Sequence, residues 1–307
     1  MTLQPIATHQ LMKRVFPAES MSVTIWGSRG GVPVFGEEFK RYGGATSCVE
    51  ITLQGGAAAT PKQIIVDCGT GLARLSQARP LQPDPLILQT HLHWDNVQGF
   101  PFCRDLFNAR SRLELWAAPR EGKRPTQVFD RVVRESMAVR SLQALPATLY
   151  IRDLPEQGAE TLGHLELSWI ELPHGASGNT AWRLSWRNRS VVITGDTEVG
   201  AGGLERLARF AANADLLIMD AQYMPEDAIA YQGLGHSCVD EAVQVALKAR
   251  ARHLILTHHD PSHTDARLDH KLTVAHQLAR GRVLVDNAAD GMSFTLKTHP
   301  SWCRVYA

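Results

Sequence analysis

Cysteine, net charge and long apolar runs are all scarce in this chain, and each shortage removes a class of protein. Among 307 residues only 5 are cysteine: Cys48, Cys68, Cys103, Cys238 and Cys303. The number is odd and no Cys-x-x-Cys pair occurs, which excludes a zinc ribbon and argues against a disulfide framework. Reduced, mostly buried thiols in a cytoplasmic protein are the expectation. Lysine and arginine number 32 against 31 aspartates and glutamates, a net charge of +1. No global field advertises a nucleic acid or an anionic membrane, so neither is expected as a partner. No apolar run approaches the ~18 residues of a membrane span. Met1 to Met21 carries Lys13 and Arg14 without a following apolar stretch. It does not read as a secretory signal and is expected to be an extension, residues 1–21, before the first strand. With 44% hydrophobic and 21% charged residues, what remains suits one α/β domain over 22–307.

Period-two alternation predicts a strand over 22–26. Further strands are predicted at 48–53, 63–66, 86–89, 113–116, 165–172, 180–186, 190–194, 216–219, 253–257, 282–285 and 292–296. Helices are predicted to end near Gln77 and to cover 127–142, 203–211, 237–250 and 264–280, with Ser237 as the cap of the fourth. Residues 120–145 stand apart as a helical, arginine-rich insertion. Arg120, Lys123, Arg124, Arg131, Arg134 and Arg140 there form either a solvated face or a surface for an anionic substrate.

The strongest chemical signal is Thr90-His91-Leu92-His93-Trp94-Asp95-Asn96, directly after an apolar strand. In an extended segment leaving a strand, His91, His93 and Asp95 point the same way. Imidazole and carboxylate together suit zinc and its first-row neighbours. Polar residues also end three later strands: His174 in Leu-Pro-His-Gly, Asp196 in Thr-Gly-Asp-Thr-Glu, and His258 in Leu-Thr-His-His-Asp. Strand ends are where a rigid scaffold presents functional side chains.

These motifs make the chain resemble the metallo-β-lactamase superfamily, in the branch holding ribonuclease Z and the cyclic phosphodiesterases. Trp26-Gly27-Ser28-Arg29-Gly30-Gly31, Asp67-Cys68-Gly69-Thr70-Gly71, the histidine cluster with Gln98-Gly99-Phe100-Pro101-Phe102, Gly195-Asp196-Thr197-Glu198 and Leu256-Thr257-His258-His259-Asp260-Pro261 carry the resemblance, with Gly235-His236-Ser237 beside them. It implies a four-layer αβ/βα sandwich with metals at one edge between two sheets. By position, His91, His93 and His174 would hold a first metal, Asp95 and His258 a second, and Asp196 would bridge them. His236 and Asp95 are the expected catalytic side chains. His236 would contact the phosphate or protonate the leaving oxygen, helped by the helix N-terminus beginning at Ser237. Asp67 would orient a ligand histidine or cap its own turn.

The expected function is a metal-dependent hydrolase, most closely a phosphodiesterase acting on a cyclic nucleotide or cyclic phosphate, a small anionic substrate. A lactonase or thioesterase on the same fold is the alternative, as is a non-catalytic member. Relatives in this branch often dimerise, so a homodimer is implied. Asn96 departs from the pattern, which has histidine there. An amide oxygen is a weak, hard donor, and the second site becomes oxygen-rich. Zinc is expected at the first site and manganese suits the second. A weak second site, a mixed-metal centre and a single metal are the three outcomes. His259, Asp260, His263 and Asp265 are expected to form a structural hydrogen-bond network.

Overall fold

The computed structural model describes residues 19–55, 60–137 and 139–297. Residues 1–18 of the expected extension, and Cys303, lie outside them. Among the described residues two seven-stranded sheets face each other. The first is built from β1 (Ser20–Gly27), β2 (Cys48–Gln54), β3 (Gln63–Val66), β4 (Leu86–Leu88), β5 (Arg112–Ala117) and β6 (Thr148–Asp153). The second takes β7 (Gly158–Leu162), β8 (Leu165–Leu172), β9 (Asn179–Trp186), β10 (Arg189–Ile193), β11 (Leu216–Asp220), β12 (His253–Thr257) and β13 (Leu284–Asn287). The last strand, β14 (Ser293–Lys297), returns to the edge of the first sheet beside β1.

The described residues also hold seven α-helices: α1 (Thr70–Ala78), α2 (Trp94–Val97), α3 (Pro125–Ser136), α4 (Gly200–Phe210), α5 (Ala228–Tyr231), α6 (Val239–Ala249) and α7 (Asp265–Ala279). None is long and apolar enough to cross a membrane.

Alternation decides the layers. Met21, Val23 and Ile25 of β1 point into a core between the sheets, where Trp116, Trp169, Trp182 and Trp186 meet them. Ser22 and Thr24 point the other way, onto Thr295 and Ser293 of β14. The outer face of the first sheet buries Ile65, Ile87 and Leu115 with Leu72 of α1 and Phe129 of α3. The outer face of the second buries Leu217 and Leu254 with Leu207 of α4, Val243 of α6 and Ala275 of α7. The result is the expected αβ/βα sandwich. Strands β3 to β6 run parallel, as do β10 to β13. Their C-terminal ends converge on one edge, where open α/β sheets place ligands.

Several expectations need correction. The helix predicted over 127–142 stops at Ser136. The chain folds back so that the Leu142 N–H donates to Asp130 Oδ1 at 2.8 Å and its side chain is buried. Strands β6 and β7 were not predicted, because their exposed alternate residues leave no apolar run. The fourth predicted helix starts at Val239 with Cys238, not Ser237, as its cap. Glu241 accepts the Cys238 N–H at 2.9 Å, while the Ser237 hydroxyl donates to Thr197 O at 2.6 Å. The Val239 N–H is also taken, by Tyr223 O. That helix end therefore has no free N–H at these two positions for the anion expected there.

Candidate metal centre

Most side chains of the centre follow the end of a strand. β3 leads to Asp67, β4 to His91 and His93, β8 to His174, β10 to Asp196 and β12 to His258, and β11 ends at Asp220, while Asp95 lies in α2 and His236 in the loop before α6. The structure brings ligand atoms of His91, His93, His174 and Asp196 within 4.8 Å of one another. Those of Asp196, His236 and His258 form a second group of the same span, so Asp196 belongs to both. Asp95 joins through His258, its Oδ2 lying 3.1 Å from His258 Nε2 and accepting the Gly31 N–H at 2.9 Å.

The hydrogen bonds fix which nitrogens keep a lone pair. His174 Nδ1–H donates to Gly235 O at 2.7 Å, and His258 Nδ1–H to Gln222 Oε1 at 3.0 Å. The Thr90 hydroxyl gives its proton to Asp67, so it accepts from His91 Nδ1 at 3.1 Å. Each of these rings therefore turns its Nε2 inward, the nitrogen a metal would take. His174 Nε2 meets His93 Nδ1 at 3.0 Å, and His91 Nε2 meets Asp196 Oδ2 at 3.3 Å. A divalent cation among these atoms would gather the inward nitrogens and the Asp196 carboxylate together.

Electrostatics agree. Burial works against the charge on Asp196, but His258 and His91 more than offset it and hold the carboxyl well below the usual range. Burial likewise opposes charge on His258, yet Asp196 and Asp95 push its pKa well above that of a free histidine. Two buried carboxylates thus share one imidazole, a place that demands positive charge. The donor set is suited to divalent metal. Asn96 sits at its border, fully buried, with its amide 3.3 Å from His91 Nε2 and its Oδ1 without a partner.

Asp67 stands one residue removed. Its carboxylate takes the Thr90 N–H at 2.8 Å and the Thr90 hydroxyl at 2.9 Å, so it orients His91 through Thr90. Burial raises its pKa well above a normal carboxylate. His236 lies against both His174 and His258, ring centroids 4.9 and 4.7 Å away. Its Nδ1–H donates to Asp220 Oδ2 at 2.8 Å. Burial disfavours its charged form, but Asp220 outweighs this and raises its pKa.

Sequence reasoning missed Asp220, Gln222 and Gly30. Asp220 ends a strand, as the chosen residues do, and that signal was there to use. Gln222 carried none. A Cβ on Gly30 would stand 2.1 Å from His258 Cε1, so glycine is what lets this histidine sit where it does. The cluster after His258 is structural: His259 Nε2–H donates to Ala288 O, Asp260 caps Ser262, and Asp265 accepts the Arg41 and Tyr42 N–H groups. Arg29 threads among them, bonded to the carbonyls of Asp260 and His263.

The Beta-lactamase superfamily domain family matches residues 62–259, more than half of the chain. Ribonuclease Z of Gemmatimonas aurantiaca is 44% identical over 72 residues, which span 24% of this chain and 22% of that protein. Ribonuclease Z of Bradyrhizobium diazoefficiens is 25% identical over 249 residues, 65% of this chain and 81% of that one. In three dimensions, the metallo-beta-lactamase fold protein YhfI from Bacillus subtilis superposes with a TM-score of 0.65 at 20% identity, over 90% of this chain and 99% of that one. At that identity the likeness speaks to the fold. The expectation that nucleic acid is no partner is overturned by relatives named as ribonucleases: a local groove or pocket can meet RNA where net charge gives no sign of it. Motifs, sheets and match agree: the chain belongs to the beta-lactamase superfamily, in its branch resembling ribonuclease Z and the phosphodiesterases.

Proposed function

We propose that the chain is a metal-dependent phosphodiesterase cleaving nucleotide phosphodiesters, RNA among them. The observation that supports this best is the cation-demanding cluster with His236 packed against two of its histidines. In this reading His91, His93, His174 and Asp196 hold zinc. Asp95, Asp196 and His258 hold a second ion, with the Asn96 amide as a weak donor and manganese tolerated for its preference for oxygen. When bound, the metal supplies Lewis-acid stabilisation of phosphoryl oxygens and lowers the pKa of water. Asp220 holds the Nδ1–H of His236 and favours its protonated form, so the imidazolium carries a second proton on Nε2, which passes to the leaving oxygen and leaves the neutral Nδ1–H ring. Asp95, fixed by the Gly31 N–H, stays ionised beside His258. A cytoplasmic setting fits the buried free thiols Cys48, Cys68, Cys103 and Cys238.

The test is turnover of bis(p-nitrophenyl) phosphate by Mn²⁺- or Zn²⁺-loaded protein, followed by short RNA and cyclic nucleotides as separate substrates. Turnover with no divalent metal among those tried refutes the reading. His236→Ala separates it from a lactonase or thioesterase: turnover of short RNA, whose alkoxide leaving group must be protonated, falls by about 10²–10⁴, whereas turnover of a thioester, whose thiolate leaves unprotonated, suffers less. Protein purified without chelator and carrying almost no metal would favour a non-catalytic member.

A further inference from the structure

Beside His93 opens a cavity of ≈ 270 Å³ that the chemistry of the centre leaves unused. His93 itself forms part of its wall, with Trp94, Val128 and Val132, and Arg120 and Lys123 also line it. Trp94 directly follows the proposed ligand His93 and remains 55% exposed. So large an apolar ring is usually covered. Val128 and Val132 lie one helical turn apart on α3 and give the cavity an apolar face. Arg120 is buried, pinned by Glu171 and by Thr180 Oγ1 at 2.7 Å, and holds the wall in place. The volume lies just under the roughly 300–1,000 Å³ of small-molecule pockets, which suits one ring system better than an extended chain.

We infer that this slot takes the base of the nucleotide whose phosphodiester lies at the metal centre, with Trp94 as its stacking platform. The inference rests on the phosphodiesterase reading above. A base has an apolar π-face for the indole and valines, and polar edges for Lys123, which lines the slot. An aliphatic chain offers no flat face to stack on the indole. The distance is short by construction, since the residue before the indole is a candidate ligand.

Calorimetric titration of the Mn²⁺-loaded full chain tests it, with three probes: adenosine 5′-monophosphate, ribose 5-phosphate and hexyl phosphate. The nucleotide should bind about tenfold more tightly than either of the others, the scale of one base stacked on an aromatic side chain. Trp94→Ala should abolish that preference and Trp94→Phe keep part of it. Val128→Arg, which fills the slot from α3, should abolish it independently. Equal binding of the three probes overturns the inference, as does tighter binding of hexyl phosphate or a preference that survives both variants. If bis(p-nitrophenyl) phosphate is cleaved while the preference is absent, the slot alone is wrong. If no phosphate binds and no diester is cleaved, the phosphodiesterase reading fails and the slot with it.

Discussion

Replacing Lys271 by methionine should flatten the rise of stability with alkaline pH. Lys271 lies on α7, fully buried, and its ammonium donates to Ala221 O at 2.6 Å and Gln222 O at 3.0 Å. Burial dominates, only partly opposed by Asp220 and Asp260, and brings its pKa from 10.5 down to about 7. In the unfolded chain the amine stays protonated up to the ordinary lysine range. Between these two values the unfolded state binds one more proton, so stability rises with pH. Below the folded value both states are charged, the slope vanishes and the burial cost is present in full. Integrating at about 1.4 kcal/mol per pH unit gives roughly 2 kcal/mol gained between pH 7 and pH 9. Methionine has nothing to titrate. It leaves two carbonyls without a donor, at about 1–3 kcal/mol each, but removes the cost of burying charge. The absolute change near neutrality is therefore small, and the informative quantity is its pH dependence. Urea unfolding of both proteins at several values from pH 6 to pH 9 measures it. The gap should widen by about 2 kcal/mol in favour of the wild type as pH rises. Parallel curves would refute the argument. Titrating groups distant from Lys271 cancel in the difference, while His259 and His263, whose pKa values it helps to lower, contribute at the acid end of the range.

Three further outcomes follow from the centre. Asn96→His should raise the metal content measured by elemental analysis from about one ion per chain toward two, since an imidazole replaces a weak amide donor; a wild type that already holds two equally tight ions would contradict this. Gly30→Ala places a Cβ 2.1 Å from His258 Cε1, and a displacement of about 1 Å at that ring should cost around 10² in phosphodiester turnover; full activity would show that the close approach is incidental. Asp220→Asn leaves a residue of the same shape that no longer enforces the His236 tautomer. Turnover should fall by about 10–100-fold with metal content unchanged, and a loss of metal instead would assign Asp220 to binding.

How much of this was legible depended on what kind of force holds each part. Strands β1, β2, β8, β9 and β12 were readable because one face or both are buried, and burial writes its period into the sequence. β6 and β7 lie at sheet edges with exposed alternate residues, so the period carries little apolar weight. The end of α3 depends on a hydrogen bond from Leu142 back to Asp130, which no local propensity announces. The cap of α6 shows the same limit: Ser237 has the right chemistry for a cap, but a tertiary acceptor, Thr197 O, claims its hydroxyl. At the centre, spacing singled out His91, His93 and Asp95, but only the two histidines leave the strand in extended chain: Asp95 lies in α2 and joins through His258. Asp220 carried the same strand-end mark as the chosen residues, whereas Gln222 acts only through a partner distant in sequence, and nothing local marks such a role. The slot beside Trp94 needs α3 and the segment after β4 brought face to face.

His258 and His259 show why burial alone never identified a ligand. Both are buried, adjacent and bonded to an oxygen acceptor. On His258 the bond uses Nδ1 and frees Nε2, which lies 2.9 Å from Asp196 and 3.1 Å from Asp95. On His259 the bond uses Nε2 and frees Nδ1, which has no partner. Burial, then Lys271 and Arg29, press the His259 pKa well below normal, whereas the carboxylates lift that of His258. What separates ligand from scaffold is which nitrogen the surrounding structure protonates and what its lone pair faces. A left-handed backbone at His258, φ 56°, aims the ring. Few bulky residues adopt that conformation without compensation, and here the Gln222 bond and the gap left by Gly30 supply it. The chemistry attributed to this centre therefore depends on residues that would never touch the metal.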